Sequence, residues 1–251
     1  MSQLISVCSG KGGVGKTFTC VNLAKALHDL GKEVLIVDAD MGLGNAQLML
    51  GVSPKYTLSD YILGDVPLDR VVTQLEGGVK LLPGASGDGN IVNLPLTTLS
   101  DLCHQLVQLF PNATILFDIA AGISEQNMHL LRLCDKRIVV FLDEPTSIAD
   151  SYGVLKLLHR TGHLENTVLV PNQVVSQAAG KEFYEKMNHL CLSFLGSPVG
   201  YLGPIQEDKA VRSSIRNRKP LHKSFPNSTA WCNIKELAEK VVGQESVKKH
   251  S

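Results

Sequence analysis

Apolar residues along the chain fall into two alternating kinds of run. Short runs of four to six, such as Leu4 to Cys8, Glu33 to Val37, Val79 to Leu82, Thr114 to Phe117, Arg137 to Leu142, Thr167 to Val170 and Val199 to Leu202, are rich in Val, Ile and Leu. Several are continuous and do not alternate, the pattern of strands covered on both faces. Longer stretches between them carry helical spacing: Thr17 to Leu30, Leu96 to Phe110, Ser147 to Arg160 and Ala179 to Leu195. Gly31 stands where a helix C-terminus favours glycine, and Pro111 follows the second stretch. The rhythm predicts an α/β fold, a doubly wound and mostly parallel sheet with helices on both faces. It reads as one domain over 1–243 with a short polar tail over 244–251. Two long glycine-rich loops, Gly42 to Ser53 and Pro83 to Pro95, are candidates for moving parts. No internal repeat stands out.

Composition narrows the classes. A chain of 251 residues, 44% hydrophobic, can bury one sizeable core. Formal net charge is zero, which argues against a surface coated for nucleic acid and leaves a local patch open. No segment approaches the ~18 consecutive apolar residues of a spanning helix, and no signal peptide is read at the N-terminus. The six cysteines are scattered, with no CxxC pair; a reducing cytoplasmic setting is expected.

The strongest chemical signal is SGKGGVGKT, from Ser9 to Thr17. Gly10, Gly12, Gly13, Val14, Gly15, Lys16 and Thr17 match the P-loop pattern, placed after a predicted strand and opening a predicted helix that continues with Phe18. Glycines let successive N–H groups turn inward on phosphate oxygens, and the helix end adds partial positive charge. Lys16 is expected on the β- and γ-phosphates of ATP, and the Thr17 hydroxyl on Mg2+. Lys11 is a second lysine that an ordinary P-loop does not require; it either neutralises transition-state charge or is simply solvated. Phosphoryl transfer also needs carboxylates. Asp118 ends the strand of ILFDIAAG, with Gly122 allowing a turn; Asp38 and Asp40 end that of VLIVDADMG. All three are expected on the one sheet edge where α/β folds bind ligands.

KGGVGKT with its extra lysine resembles the deviant Walker A loop of the MinD/ParA ATPases, and the likeness runs nearly the whole chain. VDADMGLGNAQLMLG, KYTLSDYILG, DIAAGIS and EPTSIADSYGVLKLL resemble the FlhG/FleN branch, which regulates flagellar number and placement. The resemblance implies slow ATP hydrolysis and an ATP-driven homodimer in which Lys11 crosses to the partner's nucleotide. It implies that Asp40 orients water, that Asp38 and Asp118 support Mg2+, and that Asn172 of VLVPNQV reads the adenine edge. Ile205 and Asp208 lie in the adenine-side loop, although Ile205-Gln206-Glu207-Asp208 lacks the proline usual there. Implied partners are a flagellar basal-body component, an FlhF-like GTPase or a transcriptional regulator. The branch commonly carries an N-terminal extension with an activating motif for that GTPase, and here only Met1 to Leu4 lead into the first strand.

A membrane-targeting C-terminal helix also occurs in the family. The stripe Ile234, Leu237, Ala238, Val241 and Val242 is apolar, but its other face (Lys235, Glu236, Glu239, Lys240) is charge-balanced, so it is expected to pack on the core. A basic cluster, Lys209, Arg212, Arg216, Arg218, Lys219 and Lys223, could grip nucleic-acid phosphates as in a ParA-like positioning ATPase, or form a solvated helix face. A P-loop kinase or synthetase shares the fold, but no acceptor-substrate motif is evident.

Overall fold

The computed structural model describes residues 1–40, 44, 46–84 and 94–248, with side chains through 243. Its strands are β1 (Gln3–Cys8), β2 (Val34–Ala39), β3 (Thr73–Gln74), β4 (Lys80–Leu82), β5 (Thr114–Ile119), β6 (Lys136–Phe141), β7 (Thr167–Val174), β8 (Gly200–Tyr201) and β9 (Ile205–Gln206). They form one sheet in the order β3-β4-β2-β5-β1-β6-β7-β8, with β9 also paired to β7. Every pairing is parallel except β3 with β4. The helices are α1 (Lys16–Asp29), α2 (Ala46–Leu50), α3 (Leu58–Ile62), α4 (Leu68–Val71), α5 (Leu96–Leu109), α6 (Glu125–Leu133), α7 (Pro145–Arg160), α8 (Gln177–Leu195), α9 (Lys209–Arg216), α10 (Leu221–Ser224) and α11 (Thr229–Lys248).

The sheet separates two cores. Ile5, Val7, Val34 and Ile36 face α1 and α11; Leu35, Val37, Ile115 and Phe117 face α5 to α8. Central strands are therefore buried on both faces, the cause of their unbroken apolar runs. The apolar run expected as this strand stops at Val170, before Pro171, which has no N–H for a ladder. The strand instead runs on to Val174 through an irregularity at Gln173, whose φ is 56°. Two-residue strands β3 and β9 are too short to show any period.

α11 packs against α1, with Ile234, Leu237, Ala238 and Val241 all buried, so the apolar stripe belongs to the core as expected. Its backbone continues to Lys248, into the segment read as a tail. Of the two long loops, 42–53 contains helix α2, and residues 41–43, 45 and 85–93 lie outside the described residues. Among the described residues, no helix is long and apolar enough to cross a membrane.

Candidate functional site

The site lies at the carboxyl ends of β1, β2, β5 and β7. Residues 9–15 link β1 to α1, with Gly13 and Gly15 at φ 79° and 96°, values a side chain would oppose. The loop is braced from behind. Ser9 Oγ donates to the Lys11 carbonyl (2.7 Å), the Gly122 N–H donates to the Ser9 carbonyl (3.0 Å), and Asn172 Nδ2 donates to the Val14 carbonyl (2.7 Å). A Cβ on Gly10 would overlap the backbone of Asp150 and Ser151 in α7, and one on Gly15 would overlap the Asn172 amide. At Gly12 and Gly13 a Cβ would meet nothing, so this stretch of backbone faces open space.

That space is a cleft of about 480 Å³ bounded by the loop, Lys16, Thr17, Asp40, Ala121, Leu48, Met49, Ile215 and Arg218. A second pocket of about 160 Å³ adjoins it, sharing Gly13, Gly15, Phe18 and Ile215, and reaches Asn172, Ile205 and Asp208. Predicted site residues from four separate stretches of chain thus come together.

Register places Asp38 directly beside Asp118 across the β2–β5 pairing, and Val7 of β1 beside Asp118 on the other side. Both aspartates are buried, at 0% and 2% exposure. Burial, then the nearby Asp118 charge, pushes Asp38 up to about 7, against the pull of the Ala46 and Asp40 N–H groups. Burial likewise lifts Asp118 to about 6, against the Thr17 hydroxyl and the Lys16 ammonium. Asp118 Oδ1 has no hydrogen-bond partner among the described residues. A buried carboxylate oxygen so placed, next to the Thr17 hydroxyl, fits a hydrated cation: hard oxygen donors suit Mg2+, which retains several waters.

Some side chains sit differently from expectation. Lys11 turns sideways: its Nζ lies 3.0 Å from Glu144 Oε2 and 3.0 Å from Thr146 Oγ1, at the start of α7. Its free choice between phosphate and solvent is replaced by a third arrangement. Asp208 uses both carboxylate oxygens on backbone, Oδ1 accepting from Ala210 N (2.8 Å) and Oδ2 from Ala230 N (3.1 Å). It therefore anchors α9 and α11 while lining the base-side pocket. Asn172 has its oxygen engaged too, by Gln173 N (2.9 Å), which fixes its amide plane. Glu144, Thr146, Leu48 and Met49 were not foreseen; for the first two the signal was present, since they follow the β6 strand end in LDEPTS. The basic cluster divides: Arg212 pairs with Glu207 and Lys223 with Glu76, while Lys209, Arg216, Arg218 and Lys219 are exposed and of these Arg218 lines the cleft.

Comparison with known proteins accords with this geometry. Residues 5–221 match the CobQ/CobB/MinD/ParA nucleotide binding domain. The chain belongs to the MinD/ParA family. It is an ATPase of that family, with ATP as substrate and Mg2+ as its metal. The antiactivator FleN of Pseudomonas aeruginosa is 37% identical over 240 residues, 95% of this chain and 86% of that protein. The flagellum site-determining protein YlxH of Helicobacter pylori is 28% identical over 97% of this chain and 83% of its own length. Among solved structures, the septum site-determining protein MinD of Pyrococcus horikoshii complexed with Mg-ADP superposes with a TM-score of 0.82 at 29% identity, covering 99% of each chain. Within the MinD/ParA family the chain stands on the FlhG/FleN side.

Proposed function

We infer that this MinD/ParA ATPase is a nucleotide-gated switch that regulates the number and placement of flagella. The likeness to FleN and YlxH supports the flagellar assignment. The single structural observation that carries the switch is Lys11: it sits in the phosphate loop, yet its ammonium lies beside Glu144 and Thr146. Lys16 and the loop N–H groups suffice for the subunit's own triphosphate. Lys11 is thus not needed in its own subunit and can leave Glu144 to serve a second copy, where two facing γ-phosphates would otherwise repel.

In this reading Gly10 to Thr17 hold the phosphates, and Phe18, Asn172 and Ile205 shape the base side. Thr17, Asp38 and Asp118 support Mg2+, which neutralises phosphate charge when bound. Asp40, at the mouth of the cleft, orients the attacking water. ADP lacks the γ-phosphate, so hydrolysis would remove the anchor and part the dimer. The dimer would engage a flagellar basal-body component, an FlhF-like GTPase or a transcriptional regulator. The exposed Lys209, Arg216 and Lys219 keep one alternative open, a ParA-like hold on DNA.

Light scattering after size exclusion tests the switch on Asp40→Ala protein, which keeps ATP intact. Dimer with ATP, monomer with ADP, and monomer in both once Lys11→Ala is added is the expected result. A double variant that still dimerises refutes the role of Lys11. Flagellar counts in cells lacking the protein test the biology, normal number and placement being the refuting outcome. Salt-sensitive retention of DNA by the ATP form would favour the alternative.

A further inference from the structure

Among the described residues, five helices end in the same six-residue motif, in which an N–H reaches back to the carbonyl five residues earlier and the N–H before it to the carbonyl three residues earlier. In α2, Val52 N donates to Gln47 O (3.0 Å) and Gly51 N to Leu48 O (3.2 Å), and in α3, Asp65 N donates to Asp60 O (2.9 Å) and Gly64 N to Tyr61 O (3.0 Å). In α1, Lys32 N donates to Leu27 O (3.2 Å) and Gly31 N to His28 O (2.9 Å). In α7, His163 N donates to Leu158 O (2.8 Å) and Gly162 N to His159 O (3.0 Å). In α9, Lys219 N donates to Ser214 O (3.0 Å) and Arg218 N to Ile215 O (3.1 Å). The motif forces a left-handed residue at the pivot. Four of the five pivots are glycines, Gly31 at φ 82°, Gly51 at φ 68°, Gly64 at φ 84° and Gly162 at φ 72°. The fifth is Arg218, at φ 50°. A bulky side chain there is strained, and such strain is retained where the side chain does something.

Arg218 lines the 480 Å³ cleft together with Lys16, Thr17 and Asp40. Position along α9 says which part of the nucleotide it faces. Asp208, Val211, Arg212 and Ile215 line the base-side pocket, and Ile215 and Arg218 line the phosphate cleft. Val211, Arg212 and Ile215 recur at helical spacing, so one stripe of the helix runs from base to phosphates, and Arg218, just past the helix end, adds to the phosphate side. Its guanidinium makes no ion pair with a carboxylate among the described residues, unlike Arg212 with Glu207. The pivot is also pinned from outside: Gly51, just past α2, packs on the Arg218 carbonyl so closely that a Cβ would come within 2.7 Å of it.

We propose that Arg218 is a nucleotide-binding residue, a guanidinium that closes on the phosphate chain from the wall opposite the P-loop. The proposal rests on this cleft being the ATP site and adds a contact to it. Two cations, Lys16 beneath and Arg218 above, then bracket the triphosphate, and the arginine's planar fork suits phosphate oxygens bidentately.

Arg218→Gly separates this role from a structural one, because glycine takes the left-handed pivot without strain while losing the guanidinium. Relief of strain and the greater freedom of glycine in the unfolded chain oppose each other, so the melting temperature without nucleotide should stay within about 3 °C of wild type. Isothermal titration with Mg-ATP should show affinity weakened roughly tenfold or more, with Arg218→Lys in between. Affinity within about threefold of wild type, or a weakening matched by a melting temperature lowered beyond that margin, overturns the proposal. Wild-type protein that binds no ATP, or Lys16→Ala that binds as wild type does, would instead refute the site itself.

Discussion

Removing the carboxylate that holds Lys11 should make the ATP dimer tighter. In one subunit Lys11 Nζ contacts Glu144 and Thr146, with the Lys11 and Glu144 side chains 40% and 52% exposed. An ion pair that open contributes only about 0.2–1 kcal/mol. An ammonium on a phosphate inside a desolvated interface costs roughly 2–5 kcal/mol to truncate. The contact across the dimer therefore wins when ATP is present, and the contact to Glu144 lowers its net gain. A two-fold dimer breaks two such pairs, about 0.4–2 kcal/mol together, or roughly 2- to 30-fold in the dimer dissociation constant. Glu144→Gln is the perturbation of choice. It keeps the length of the side chain next to Pro145 at the start of α7 and removes only the charge. Sedimentation velocity across a protein dilution series, in the Asp40→Ala background with Mg-ATP, reads the constant. The ADP form should remain monomeric, and the gap between variants should narrow in high salt. With Lys11→Ala already present, Glu144→Gln should change nothing, which closes the double-mutant cycle. A dimer that is unchanged or weakened refutes the argument, and weakening would mean that Glu144 itself contacts the second copy.

Three further outcomes follow from the site and the core. Asp40→Ala should retain Mg-ATP affinity but lose roughly 10²-fold or more in turnover, since the water loses its orienting acceptor; phosphate release within about twofold of wild type would refute this. Asp38 carries a raised pKa of about 7, so the fold keeps a proton that the unfolded chain, titrating near 4, has already released. Stability from this group is thus lost as pH rises from about 4 to about 7, and in EDTA Asp38→Asn should gain on wild type in melting temperature between pH 5 and pH 8, a constant difference being the refuting result. Val241→Glu places a charge in a fully buried position between α11 and α1 and should cost about 2–5 kcal/mol by urea denaturation; unaltered stability would show that α11 is not docked.

The P-loop and its aspartates were legible because their chemistry is local: a glycine spacing, or a carboxylate ending an apolar run, is visible within ten residues. The main strands were legible because burial on both faces leaves an unbroken apolar signature at Ile5, Ile36, Phe117 and Val139. What escaped was made of pairings between distant segments. Lys11 meets Glu144 across 133 positions, and nothing near either residue marks it as half of a pair. Asp208 lines the base-side pocket as expected of its loop, but its oxygens are engaged by two helix starts, a competition between backbone donors that only the folded chain reveals. The basic cluster shows the same limit in another form. Six cations within fifteen positions read as one patch on charge alone, whereas in the fold Arg218, although exposed, lines the cleft at the turn that closes α9, and Lys209, Arg216 and Lys219 do not. The decisive quantity there is a backbone angle of 50°, and a side chain that keeps a glycine's place in such a turn is the one clue that one-dimensional reading could have tested, by asking why the glycine of the motif was absent.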